Sequence, residues 1–479
     1  MTLSLFQDPA LSYPDGDFFF SPDEPFPEYR LGHISPAPNP VYSAIRRCFA
    51  QADLDAANFD TPDWNPLQSL VPRGSRVFVL CNFVLNRQRG ETADGFAAKC
   101  LHGSVLRAVV DYLLLAIGEE GSLAFGNSPM QHADWGSVLS ETGAARVLEF
   151  YRAASIPVEA KDLRLFVVRR NRAGALVNVE RRADTGGVTV DLGRESRFAD
   201  LDAESAQRYR IMNYGPSRLR KTHGTGRHVY VINREILDAD VIFSLPKLKT
   251  HEKAGITCVM KNCVGAVGHK DSLPHHRFGT PGIGGDEYPE DRLGVLRLAS
   301  AFHDSAQLTR PGSTLGNVAR VADRAVRVAT GLRAPVREGA WSGNETTWRM
   351  VVDLARIVSH ADKAGRLQDE PIRRHLALVD GILGGEGQGP LAPTPVRSGL
   401  LLLADNPLLA DYACALMMGF DPDRLPTVSR ALEPMSYPLF KGKVAAERVV
   451  YNGRSLALPE LAGLATHHFR PPVGWEGAI

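Results

Sequence analysis

The sequence predicts an α/β protein: parallel or mixed sheets flanked by helices, in two lobes, with an irregular N-terminal arm and a lid-like insertion. Three observations predict it. Short apolar runs rich in β-branched residues alternate with segments of helical period. That alternation implies parallel strands covered by helices on both faces. Two stretches, 1–72 and 277–345, break the rhythm with proline, glycine and aromatic residues. The division is therefore 1–72 arm, 73–276 first α/β lobe, 277–345 insertion and 346–479 second α/β lobe.

The elements follow in order. FFF and scattered Tyr and Trp in the arm call for burial, with a short helix near 41–51. RVFVLCNFV (76–84) reads as a buried strand. GSVLRAVVDYLLLAIG (103–118) reads as a helix ending at glycine. SLAFGNSP (122–129) is strand then turn, 137–154 helix, and LRLFVV (163–168) strand. HVYVINREILDADVIFSLPK continues the pattern, its second strand stopped by Pro246. In the second lobe WRMVVDLARIV (348–358) is helical and HLALVDGILGGEGQGP is strand then glycine-rich loop. SGLLLLAD is a strand, and NPLLADYACALMMG a helix with Asp405 as its cap.

Composition excludes several classes. With 55 basic and 54 acidic residues the formal charge is +1, which gives no reason to expect a nucleic-acid partner. No apolar run reaches membrane-spanning length, and the N-terminus lacks a secretory leader pattern. Six scattered cysteines without a CxxC pair fit buried thiols, so a cytoplasmic protein is expected.

The chemistry concentrates in LPKLKTHEKAGITCVMKNCVGAVGHKDSLPHH (245–276), which holds five lysines, four histidines and only two acids. Six of the chain's fourteen histidines fall between His223 and His276. Histidine supplies acid–base or metal-ligating groups and lysine supplies anion contacts or, when desolvated, a nucleophile. The cluster follows a strand, where open α/β sheets place their ligands. His251, Lys261, His275 and His276 are the catalytic candidates, and Lys247, Lys249, Asn262 and Gly265 the ligand-binding ones. The bland alternative is a solvated basic loop. In VDGILGGEGQGP, Gly385 and Gly387 permit close backbone approach, while Asp380 and Glu386 join His275 and His276 as metal-ligand candidates. A tight structural turn explains the same glycines. Asp411 lies one turn inside its helix and is a further candidate. FGNSPMQHADW (125–135) is another strand-end turn, offering Asn127, Ser128, His132 and Asp134. Cys81-Asn82 stands at a similar point. The insertion starts GTPGIGGDEYP, with glycine hinges suited to a lid, and His303 is expected to point inward.

LPKLKTH…GIT…MKNCVGAVGHK, together with VDGILGGEGQGP and NPLLADYACALMMG, resembles the domain-of-unknown-function family 362, over about 76–425. Many members of that family carry a ferredoxin-like four-cysteine module. This chain lacks those cysteines, so no iron–sulfur cluster is expected. A narrower likeness is to the nickel-pincer lactate racemase family. His251 precedes Lys261 by ten residues, and His275 and His276 follow at fourteen and fifteen. That likeness implies proton transfer by His251, a cofactor tether at Lys261 and a metal on His275 or His276. The family's Gly-Arg before the lysine is Val259-Met260 here.

The expected function is an enzyme acting on a small anionic metabolite, a hydroxy acid or sugar acid, by racemisation or epimerisation through histidine acid–base chemistry. A divalent metal or a nickel-pincer-type nucleotide is the cofactor such a site would take. The alternatives are metal-assisted hydrolysis or group transfer on a phosphorylated substrate, and a non-catalytic anion- or nucleotide-binding protein.

Overall fold

The computed structural model describes residues 2–15, 19–170, 176–180, 186–211, 217–290, 321 and 338–479. A twelve-stranded sheet organises them. Its principal strands are β1 (Leu3–Gln7), β2 (Arg76–Cys81), β3 (Ser122–Asn127), β4 (Val158–Asp162), β5 (Val241–Leu245), β6 (Lys247–His251), β7 (Arg374–Glu386), β8 (Leu400–Ala404), β9 (Arg448–Tyr451) and β10 (Arg454–Ala457). The order across the sheet is β10-β9-β1-β8-β7-β5-β2-β3-β4, with β6 continuing beside β7. From β7 to β4 all neighbours run parallel. β8 is antiparallel to both β7 and β1.

At the centre of the sheet both faces are buried, so β2, β5 and β8 read as nearly unbroken apolar runs instead of alternating ones. In β2, Val77, Val79 and Cys81 enter one core while Phe78 and Leu80 enter the other. Helices α1 (Pro40–Ala50) and α2 (Gly103–Ile117) cover the first face. The second is covered by α3 (Cys258–Asn262), α4 (Thr347–His360) and α5 (Pro407–Met417). α2 ends at Gly118 and α4 spans the predicted 348–358.

Several expectations are corrected. The strands assigned to two lobes lie in one sheet, joined where Val241–Ser244 of β5 pairs with Arg374–Ala377 of β7. The arm begins with a strand, since Leu3–Gln7 pairs along its length with β8. Helix 137–154 is two helices, Trp135–Thr142 and Ala144–Ala153, divided by Gly143 at φ +81°. The sheet takes the polar VEAKD as β4, and 163–168 passes instead into a separate hairpin strand, Phe166–Arg170. An edge strand needs little apolar pattern, which is why VEAKD was illegible. The glycine-rich stretch is no loop up to Glu386, because β7 carries it through in strand conformation. Asn406, not Asp405, caps α5, accepting from the Leu408 and Leu409 amides at 2.9 and 3.1 Å. Asp405 accepts from the Thr2 amide at 2.8 Å. All six cysteines are free and buried. No single helix among the described residues is long and apolar enough to cross a membrane. Most of the 277–345 insertion, with His303, lies outside the described residues.

Candidate functional site

β5 does not give way to a loop at Pro246. The chain resumes as β6, so Lys247, Lys249 and His251 share one face by the two-residue period of a strand. β6 ends in a short hairpin partner, Gly255–Ile256, and α3 follows at once. The start of α3 is fixed from outside. Asp411 on α5 accepts from the Val259 amide at 2.6 Å and the Met260 amide at 3.2 Å, pairing donors that a helix start leaves open. Lys261 is thereby aimed from α3 towards the residues of β6.

A cavity of ≈ 170 Å³ opens there, beyond the carboxyl ends of β2, β3 and β5. Lys249, His251, Lys261, His275, Asn262 and Gly265 all line it. Lys253 and Lys270 complete a set of four lysines, with Glu252 the one carboxylate among the lining residues. Asn82, Asn127, Ser128 and Gln131 enter from the ends of β2 and β3.

Charge crowding and burial set the electrostatics. Burial holds Lys249 down at about 7; Cys100 opposes the shift, and Lys247, Lys99 and Lys261 add to it. Its ammonium donates to Asn82 Oδ1 at 2.8 Å and to the Lys99 carbonyl. Asn82 in turn donates to Asn262 Oδ1 at 2.9 Å, and Asn262 to the Leu80 carbonyl at 2.8 Å. Lys261 is lowered to about 8 by burial and then by Lys253. Lys270 is lowered to about 7 by burial, then by Lys261 and Arg164. His251 falls well below its ordinary value through burial and then Lys261. His275 falls to about 3 for the same two reasons. Both imidazoles are therefore neutral at physiological pH.

Their hydrogen bonds assign the protons. His251 Nδ1 accepts from the Lys253 amide at 3.1 Å, so its proton is on Nε2. His275 Nδ1 donates to the Leu273 carbonyl at 2.8 Å, so its Nε2 carries a lone pair. One cavity thus holds a neutral histidine donor and a neutral histidine acceptor.

Other candidates go elsewhere. Lys247 is buried against Asp380, 3.0 Å away, and donates to Tyr13. Tyr13 donates to Asp380 at 2.6 Å. Strand pairing places Lys247 opposite Asp380, which absorbs its charge. Glu386 binds Arg470 at 2.5 Å. His276 sits in a two-residue strand, His276–Arg277, paired with Tyr209–Arg210. Gly385 is required by packing, because a Cβ there would meet Pro393 Cβ at 2.7 Å and Lys249 Cβ at 3.1 Å. Gly387, at φ +71°, uses its carbonyl to accept from Thr250 Oγ1 at 2.8 Å. Neither glycine lines the cavity, and Asp411 is spent on α3. Among the described residues no three His, Cys, Asp or Glu side chains converge to hold a metal. The described residues therefore do not fit a metal ion. Lys253, Lys270, Gln131 and Thr257 were missed as site residues. The two lysines stood in the basic stretch without a pattern to separate them from solvated charge. The described end of the insertion reaches the site, where Lys253 donates to the Glu338 carbonyl and Asn344 donates to the His275 carbonyl at 2.9 Å.

The fold and cavity define a mixed-sheet α/β protein with a lysine-rich pocket at the carboxyl ends of its parallel strands. The family model for a domain of unknown function, DUF362, matches residues 166–416, more than half of the chain, and the chain belongs to that family. The match contains β5 to β8, α3, α4 and all but the last residue of α5, and begins after β4, later than the expected start near residue 76. No curated protein matches the chain. The likeness to lactate racemases has no counterpart in these matches.

Proposed function

We propose that the chain is an enzyme acting on a small anionic metabolite, a hydroxy acid or sugar acid, and that it moves a proton at one carbon. The observation that carries this reading is the pair of neutral histidines, of opposite proton placement, lining one lysine-rich cavity. The lysines hold the carboxylate or phosphate. His275 Nε2 takes a proton from the carbon and His251 Nε2–H donates one, which inverts the centre if they act on opposite faces. Burial, and then Lys261 and Lys253, which repel an added proton, keep both imidazoles weakly basic. A bound anion offsets those charges and raises the basicity of His275, so proton transfer is coupled to occupancy. The cavity lies below the about 300–1,000 Å³ typical for drug-sized ligands, which suits a small metabolite.

The test is exchange of carbon-bound hydrogen in deuterated water, followed by NMR over a panel of 2-hydroxy acids and sugar acids. Wild type should wash deuterium into the α position of at least one of them. His251→Ala and His275→Ala should each lower the rate by about 10²–10⁴. Tight binding without exchange across the panel would favour the anion-binding reading.

A further inference from the structure

We propose that one wall of this cavity recognises hydroxyl groups, so that the substrate is a small polyhydroxylated anion and not a bare carboxylate or phosphate. The inference rests on the reading of the cavity as an anion site and narrows its substrate class.

The wall consists of Asn127, Ser128, Gln131 and Thr257, each no more than 3% exposed. All four line the cavity. Five of their side-chain atoms are buried without a hydrogen-bond partner: Asn127 Oδ1, Ser128 Oγ, both Gln131 amide atoms and Thr257 Oγ1. Buried polar groups are normally paired, and leaving them open is unfavourable. Such a concentration on one cavity marks a surface shaped for a guest that does the pairing.

Its donor and acceptor pattern says which guest. Asn127 Nδ2 donates to the Phe83 carbonyl at 2.8 Å, which fixes the amide so that Oδ1, an acceptor, is the open atom. Gln131 offers an acceptor and two donors, and Ser128 and Thr257 each do either. A second carboxylate only accepts, and would leave Asn127 Oδ1 and Gln131 Oε1 unpaired. Hydroxyl groups both give and take, and so match both kinds of open atom. A nucleobase would call for stacking, whereas Phe83 is the one aromatic ring besides histidines among the lining residues. The lysines and the hydroxyl wall together match a sugar acid or a sugar phosphate. Asn127, Ser128 and Gln131 precede the 166–416 family match, so the wall comes largely from outside it. They are held by β3, and the Ser128 amide donates to the Gly265 carbonyl at 2.7 Å, tying the wall to the α3 segment.

The test is calorimetric titration of the full chain with two matched pairs: gluconate against hexanoate, and ribose 5-phosphate against inorganic phosphate. One hydroxylated member should bind at least about tenfold tighter than its partner, and which pair shows it distinguishes the acid from the phosphate. Gln131→Met and Ser128→Ala should each remove most of that preference. Their melting temperatures should hold or rise, because each removes unpaired buried atoms. Equal binding within both pairs, or a preference that survives both variants, would overturn the inference while leaving the anion site standing. A lowered melting temperature in the variants with the preference intact would assign the wall to internal water and overturn it too. No binding of any of the four would remove the anion site itself.

Discussion

At the residue scale, Lys261 carries the sharpest expectation. It sits in a lysine cluster, and among the described residues its ammonium donates to no protein acceptor, so it is free to hold an anion. Lys261→Arg keeps the charge and should retain anion binding within about tenfold, whereas Lys261→Ala should lose one to two orders of magnitude. Equal affinity in both variants by calorimetry would remove Lys261 from the site. The pH dependence follows from the depressed lysines. Lys249, Lys261 and Lys270 are lowered to about 7, 8 and 7, below the 10.5 of a free lysine. Between those values the unfolded chain binds more protons than the folded one. Stability of the empty protein therefore gains from these groups as pH rises through that window. Anion binding has the opposite trend, because a charged lysine is the better partner. Affinity should fall as pH climbs past 7–8, and binding at pH 8 should take up protons, seen as a heat that varies with the buffer's ionisation enthalpy. A buffer-independent heat would mean that the lysines do not titrate with occupancy.

At the element scale, α3 is five residues long and cannot hold itself in place. Its anchor is the Asp411 carboxylate, which burial pushes well above the ordinary carboxyl range. Asp411→Ala leaves two buried amides open and should cost about 1–3 kcal/mol in urea unfolding, with weakened anion binding as Lys261 shifts. Asp411→Asn keeps the accepting oxygen and should recover most of both. If Ala and Asn behave alike, the carboxylate does not set the helix. The sequence showed α5 and its internal Asp411, but not the target of that side chain, 151 and 152 residues away in sequence. The same limit applied elsewhere. His251, Lys261 and His275 could be singled out because they crowd one stretch after an apolar strand. Asp380 and Glu386 look like site carboxylates until the pairing of β6 with β7 and the approach of Arg470 are known. Gln131 and Thr257 carry no distinctive spacing, and only the empty hydrogen-bond positions of the folded chain single them out.

At the scale of the whole molecule, the alternation of strands and helices revealed an α/β protein but not that its halves share one sheet. Strand pairing depends on partners far apart in sequence, whereas periodicity reports only which faces are buried. The N-terminal strand shows the consequence for stability. β1 lies between β8 and β9, with Leu5 fully buried. Leu5→Ala should cost about 2–5 kcal/mol in denaturant unfolding. A loss under about 1 kcal/mol would mean that β1 is not integral to the sheet.

That placement also orders events during synthesis. β1 pairs with Leu400–Ala404 and, through Ser4, with Val450, so it must wait while the residues between are made. At about 5–20 residues per second, the wait to reach these partners is roughly 20–90 s. Throughout it LSLFQ is an apolar segment without its neighbours, open to mispairing with other nascent chains. The sheet can close around β1 only once Val450 and its neighbours have been made.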